Sequence, residues 1–360
     1  MRSMKRIAIC FTVLAVGVLG EETMAKNADL TLAKKRKKDE FYTQLVDIEN
    51  ELKHYKEHFK DRVVLCNCDD PRKSNFFKYF ADNFEKLQLK RLIATCYKSQ
   101  DVDLFSQGDC ERAICQIYEG DKNGNLTVDD DEVCVKELKG DGDFRSAECI
   151  EILKQADIVV TNPPFSLFRE YVAQLVKYDK KFLIIGNVNA ITYKECFSLI
   201  KAGKMWLGAS IHSGDREFGV PDDYPLTAAS SRIDAKGKKF IRVKGVRWFT
   251  NLDYKERHDR FPLYRTYSED AYVTYDNYDA IEVGKTCDIP LAYCGVMGVP
   301  ITFLDKFCPE QFEILGMESS AGYDIKIVGI PRTKEGDARP AINGKTTYAR
   351  IFIRHRKPAK

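Results

Sequence analysis

The sequence predicts an α/β fold, a parallel sheet with helices on both faces, followed by a smaller C-terminal region. Short runs apolar at nearly every position (Val63 to Asn67, Ile158 to Thr161 and Phe182 to Gly186) alternate with stretches whose apolar residues recur every three or four positions. A strand apolar throughout is buried on both faces, so helices must cover it above and below. The chain has 360 residues, 44% of them apolar, enough for one large core with an attachment.

The elements follow in order. Arg2, Lys5 and Arg6 precede an apolar stretch from Ile7 to Leu19, which resembles a secretory signal in pattern and is short for a membrane span. A signal peptide, an anchor and an upstream extension before Met24 all fit it. We read residues 1–38, including the basic run Lys34 to Lys38, as an N-terminal extension. Leu45, Ile48, Leu52, Tyr55 and Phe59 predict a helix, then Val63 to Asn67 a strand. Phe76, Phe77, Phe80, Phe84 and Leu87 stripe a second helix, and Lys90 to Thr95 form the next strand. Asp121 to Glu132 resembles a calcium loop in ligand spacing, but Leu126 stands where that loop needs glycine, so an acidic surface hairpin is expected and no metal.

Further on, Leu167, Phe168, Tyr171, Leu175 and Val176 predict a helix between the strands at 158 and 182. Met205 to Gly208 and Ile241 to Thr250 read as strands joined by a long polar loop. Beyond 253 the chain is rich in Tyr, Asp and Pro, with short strand candidates ending at Tyr348 to Arg354. The expected division is a main domain over 39–252 and a smaller region over 253–360.

Bulk charge is close to balanced, with 57 basic and 54 acidic residues, so any face for a polyanion must be a local patch. Twelve cysteines include no CxxC pair, and most sit in apolar runs. That excludes a zinc knuckle and argues for reduced, buried thiols.

The most informative segment is Asp157 to Phe165, an apolar strand that stops at Asn162-Pro163-Pro164-Phe165. Two consecutive prolines end a strand ladder and hold the residues before them extended. The Pro163 carbonyl is then free to point outward beside the Asn162 side chain. Two converging acceptors are what an aromatic amine needs in order to act as a nucleophile. They draw its hydrogens out of the ring plane and oppose the positive charge of attack. Phe165 offers a flat face for a base turned out of its stack. By itself the loop points to an amino methyltransferase. Adenine in DNA, a guanine amino group in RNA and a glutamine amide remain open as substrates, as does a binding module that kept the fold but lost activity.

Two further loops lie near predicted strand ends, where doubly wound sheets bind ligands. Asn67-Cys68-Asp69-Asp70-Pro71 follows the first strand. It lacks glycines, and its carboxylates either hold polar groups of a ligand or cap the next helix, capping being the expected role. Gly140 to Ser146 places Asp143 and Phe144 where a carboxylate can accept from an adenine amino group and an aromatic can cover the ring.

Taken in order, these segments resemble the EcoRI-type adenine-specific DNA methyltransferase family. The resemblance rests on Asp39 to Gln44, Cys66 to Pro71 with Ser74-Asn75-Phe76, Lys139 to Ser146, Asp157 to Tyr171, Phe182 to Lys194, Trp248 to Leu252 and Gly298 to Leu304. It implies a Rossmann-like methyltransferase sheet that uses S-adenosyl-L-methionine, with Asn162, Pro163, Pro164 and Phe165 catalytic. Phe41, Tyr42 and Thr43 would close over the cofactor. Asn67, Asp69, Asp70 and Pro71 would form its pocket, and Asp143 with Phe144 would bind its adenine. The chain departs from the wider pattern in its glycine-free first loop and in having Thr95-Cys96-Tyr97, with no carboxylate, at the end of the second strand. Glu119 to Glu137 reads as an insertion. The implied partner is double-stranded DNA, read by residues 253–360, with a cognate restriction endonuclease as a further candidate. A cytoplasmic monomer without a stable membrane partner is expected, because cofactor and DNA must share a compartment.

Overall fold

The computed structural model describes residues 41–97, 112–125, 127–212, 214–220, 231–318, 333–334 and 339–356. The N-terminal extension, its basic run and Leu126 of the acidic loop lie outside them. The described residues belong to one compact unit, Phe41–Lys360.

In chain order the first half contains β1 (Tyr42–Thr43), α1 (Leu45–Leu52), β2 (Val63–Asn67), α2 (Asn75–Asp82), α3 (Phe84–Leu87), β3 (Arg91–Thr95), β4 (Ile114–Tyr118), β5 (Val133–Glu137), α4 (Ala147–Gln155) and β6 (Ile158–Thr161). It continues with α5 (Phe168–Lys177), β7 (Lys181–Asn187), α6 (Lys194–Lys201), β8 (Trp206–Leu207), β9 (Asp215–Val220), β10 (Ser231–Ile233), β11 (Lys239–Lys244) and β12 (Val246–Thr250). The last part has no α-helix among the described residues; its strands are β13 (Ile281–Glu282), β14 (Met297–Pro300), β15 (Phe312–Glu318), β16 (Ala341–Ile342), β17 (Lys345–Thr346) and β18 (Arg350–His355).

An eight-stranded sheet in the order β5-β4-β3-β2-β6-β7-β12-β8 forms the centre. Its four middle strands are parallel, as expected, but β4, β5, β12 and β8 add antiparallel pairs at the two sides, so the sheet is mixed. Among the described residues no helix lies between β4 and β5, so that pair lacks the helical crossover by which parallel strands are usually joined. Alternate residues of each middle strand enter different cores. Val63, Leu65, Val159, Phe182 and Ile184 pack with α4, α5 and α6, while Val64, Cys66, Val160, Leu183 and Ile185 pack with α1, α2 and α3. Period-two burial on both faces explains why these strands read as unbroken apolar runs.

The expected helix from Leu45 ends at Leu52. Tyr55 and Phe59, three and then four positions on from Leu52, remain buried around a short 3-10 turn. Asn83 divides the helix predicted over Phe76 to Leu87 into α2 and α3. The polar segment after β8 is not a plain loop, since it carries β9 and β10. The strand predicted over Ile241 to Thr250 is two strands in different sheets. Gly245, at φ +68°, turns the chain out of β11 and into β12.

Two smaller sheets flank the large one. Strands β1-β9-β11-β10 form an antiparallel sheet whose inner residues Phe218 and Ile241 join the core around α1 and α2. Strands β13-β14-β18-β15 form the C-terminal sheet, and Met297, Phe312, Ile351 and Ile353 join the core around α4 to α6. No helix among the described residues is long and apolar enough to cross a membrane. All ten described cysteines are unpaired, and six are buried.

Candidate active site

β2 is the point where the sheet order reverses. Its next strand in sequence, β3, lies on one side and β6 lies on the other. Ligands of open α/β sheets bind in the crevice at the carboxyl ends of such a pair. Here those ends are Asn67 to Pro71 and Asn162 to Phe165.

Side chains tie the two ends together. The Thr161 hydroxyl donates to the Asn67 carbonyl, and the Tyr171 hydroxyl on α5 donates to Asn67 Oδ1. Burial pushes the Tyr171 phenol well above its ordinary range, so it stays a neutral donor. Cys68 adopts φ +81°, a left-handed conformation unusual for a residue with a Cβ, and thereby turns the chain sharply at the strand end. Burial also pushes the Cys66 and Cys68 thiols well up, away from thiolate chemistry.

Asn162 is 6% exposed. Its Nδ2 donates to the Phe41 carbonyl at 2.6 Å, which turns Oδ1 the other way. That oxygen is buried and has no hydrogen-bond partner. A buried acceptor left bare costs about 1–3 kcal/mol, so its persistence points to a donor that arrives with a substrate. Among the described residues, no backbone hydrogen bond reaches the Pro163 carbonyl either. Phe165 is partly exposed, and the Phe41 ring meets it edge-on at 5.7 Å.

The segment Phe41 to Thr43 lies beside this loop. Phe41 also touches Phe218 of β9, and the Asn75 amide at the start of α2 donates to the Thr43 carbonyl at 2.7 Å. Phe41 and Thr43 are two apart in an extended segment, so their side chains share the face turned to the catalytic loop. Thr43 is 2% exposed, and its buried hydroxyl, like Asn162 Oδ1, has no hydrogen-bond partner. Tyr42 pairs across β1 and β9 with Gly219.

The other expected residues separate into two groups. Gly142, at φ +77°, lets the Gly140 to Ser146 loop press on the end of β3, where any Cβ would lie 2.0 Å from the Cys96 carbonyl oxygen. Phe144 is thereby buried edge-on against Tyr171 at 5.0 Å, one side chain away from Asn67. Asp143 turns to Arg145, accepting from its main-chain nitrogen at 2.9 Å and its guanidinium at 2.7 Å. Asp70 is likewise engaged by Arg72, through its main-chain nitrogen and guanidinium. Neither Asp69 nor Asp70 caps α2, contrary to expectation. Ser74 does, accepting from Phe76 N at 3.2 Å, and Asp69 in turn accepts from the Ser74 hydroxyl. Pro71 is buried beneath that turn. In the acidic hairpin, Glu132, 5% exposed, accepts from the main chain of Lys122 and Asn123 and closes the turn between β4 and β5.

A bare amide oxygen beside two prolines, at the reversal point of the sheet, suits a substrate that brings donor hydrogens. The family described as "Adenine-specific methyltransferase EcoRI" matches residues 29–356. This chain belongs to that family. Three relatives resemble it over nearly their whole length. The Type II methyltransferase M.EcoRI of Escherichia coli is 53% identical, covering 94% of this chain and 100% of the relative. M.MgeORF184P of Mycoplasma genitalium is 38% identical, over 89% and 97%, and M.MpnI of Mycoplasma pneumoniae is 37% identical, over 90% and 97%. No solved structure matches the chain. Family membership makes the chain an adenine-specific methyltransferase, and its reaction requires a methyl donor.

Two contacts of this site were not expected from sequence: the Phe41 carbonyl on Asn162 and the Tyr171 hydroxyl on Asn67. The recurrence of Tyr171 on the apolar stripe of α5 signals burial but gives no sign of its polar partner.

Proposed function

We propose that the chain methylates the N6 amino group of adenine in double-stranded DNA, with S-adenosyl-L-methionine as donor and the target base turned out of the duplex. The observation that carries this reading is the buried, unpartnered Asn162 Oδ1, held in place by the Phe41 carbonyl. The adenine-specific family and its Type II relatives support the substrate.

The residues present fit the donor. Thr43 supplies a second buried, unpartnered oxygen on the same side, and Asn67 to Pro71 form a sharp turn at the reversal point of the sheet. Phe41 to Thr43 would cover the donor, Asn67, Asp69, Asp70 and Pro71 would line its pocket, and Phe144 with Asp143 would border its adenine. When bound, the donor supplies an electrophilic methyl group on a sulfonium.

The protein's own residues act on the amine. Asn162 Oδ1 and the Pro163 carbonyl accept its two hydrogens, which concentrates the nitrogen lone pair toward the incoming methyl. As positive charge grows on nitrogen these bonds strengthen, so they stabilise the transition state more than the ground state. Pro164 keeps the loop from folding back into the ladder, and Phe165 stacks the extrahelical base. Residues 253–360 would read the target sequence in a cytoplasmic, monomeric enzyme.

The test is Asn162→Ala. Turnover on adenine-containing duplex should fall about 10²–10³-fold, the usual cost of losing one positioned hydrogen-bonding group, while duplex affinity stays nearly unchanged. Turnover close to that of the unmodified protein would sink the mechanism.

A further inference from the structure

The C-terminal region, expected from its sequence to meet DNA, has 16 basic and 16 acidic residues over 253–360. The positive charge of the chain lies elsewhere. Residues 231–244, which form the β10-β11 hairpin, include six basic residues and one acidic residue. Adding the described part of β9 and its lead-in, 214–220, gives seven basic and three acidic, a larger excess than the +3 of the entire chain.

The hairpin is built to present that charge outward. Ile241 is buried against the core, whereas Arg242 and Lys244 are exposed. The turn is rigid. The Asp234 carboxylate accepts from Lys236 N at 2.8 Å and Lys238 N at 2.9 Å, so its charge is used inside the turn while both lysine side chains remain exposed. Backbone hydrogen bonds, the one from Lys238 first, hold the Asp234 carboxyl below its ordinary range. Arg232 is fixed over the Phe240 ring at 4.4 Å and pairs with Glu217 at 2.5 Å, which occupies the carboxylate that lies across from Arg242. No ion pair engages Lys236, Lys238 or Arg242 among the described residues. Ile233, 58% exposed, adds an apolar side chain beside the turn.

The hairpin also stands in register with the active site. In the order β1-β9-β11-β10, β11 lies two strand spacings, roughly 10 Å, from β1. β1 continues from Phe41, whose carbonyl holds Asn162 and whose ring meets Phe165.

We propose that the β10-β11 hairpin is a phosphate-binding ribbon that seats duplex DNA against the catalytic loop, through Lys236, Lys238 and Arg242. A rigid two-stranded ribbon fits along a duplex, and its lysines neutralise phosphates without reading base edges. This inference rests on DNA being the substrate. It assigns backbone contact to the hairpin and leaves sequence reading to other residues.

The experiment measures binding of a labelled mixed-sequence duplex across a salt series, using the full chain and the variants Lys236→Gln, Lys238→Gln and Arg242→Gln, singly and combined. Each substitution should weaken binding and lower the slope of log Kobs against log salt by about 0.9 per lost phosphate contact. A Lys154→Gln and Lys177→Gln variant, neutralised at the ends of α4 and α5 that lead into the amino ends of β6 and β7, away from the carboxyl ends that carry the site, should keep the parent slope. Equal slopes for the hairpin variants and the parent would overturn the proposal. A parent protein that binds no duplex would instead overturn the DNA reading itself. Lysine acetylation of the unmodified protein supplies a readout independent of folding. Lys236 and Lys238 should be protected by duplex and not by polyglutamate, and protection equal in both would remove DNA as the occupant.

Discussion

Asn162 shows what one residue can reveal in sequence and what it cannot. Its place before two prolines marks an acceptor at a strand end, because the relevant groups are adjacent in the chain. The Phe41 carbonyl that orients it is 121 residues away. Every residue has a carbonyl, so nothing in the sequence singles that one out. Asp305 is a similar case. It forms a bidentate pair with Arg247 at 2.7 and 3.0 Å, with both side chains about 95% buried, although neither stood out in the sequence. Asp305→Asn should cost about 3–5 kcal/mol, because it leaves a buried guanidinium uncompensated. Urea unfolding reads this directly, and a midpoint equal to that of the parent would contradict it.

Among elements, β2 and β6 match the predicted strands residue for residue, since continuous burial leaves an unbroken apolar run. Weaker patterns misled in ways that have physical causes. The helical spacing of three and four persists from Leu52 through Tyr55 to Phe59 around the 3-10 turn after α1, so the helix looked longer than it is. The stretch from Ile241 to Thr250 has strand-forming residues on both sides of Gly245, so it read as one strand although β11 and β12 belong to different sheets. Gly245 is the pivot between them, at φ +68° with Val188 Cγ1 only 2.9 Å from where a Cβ would stand. Gly245→Ala should therefore cost about 1–2 kcal/mol for the left-handed backbone alone. It should lower the melting temperature and loosen the β11-β12 turn, visible as faster amide exchange at Val188, whose N–H donates to the Gly245 carbonyl. Unchanged exchange there would argue against the pivot.

For the whole molecule, a histidine bridges the end of the large sheet and the C-terminal sheet. His258 Nε2 meets Asp253 at 2.8 Å, just after β12, and its Nδ1 meets Glu310 at 2.8 Å, just before β15. Hydrogen bonds to Glu310 and then Asp253 raise its pKa above the ordinary 6.5. Burial works against both carboxylates, yet their hydrogen bonds with His258 leave them below their ordinary values. A raised folded pKa means the bridge stabilises fully below the unfolded histidine value and fades as pH rises through the folded one. The carboxylates contribute above their own unfolded values and lose that contribution only in acid. Buried His355 is lowered instead and costs stability as pH falls below 6.5, so the informative quantity is a difference between variants. Glu310→Gln should flatten the decline in melting temperature above pH 6.5, and an identical pH profile would refute the bridge. The sequence alone determined the α/β class, the central strands and the proline-flanked acceptor loop, because periodicity and local chemistry are written in neighbouring residues. Only the tertiary structure decided that the sheet is mixed, that Asn162 Oδ1 is left bare, and that the basic β10-β11 hairpin shares a sheet with β1, which continues from Phe41 at the catalytic loop. Each of those depends on which distant segments meet, and a linear chain does not display that.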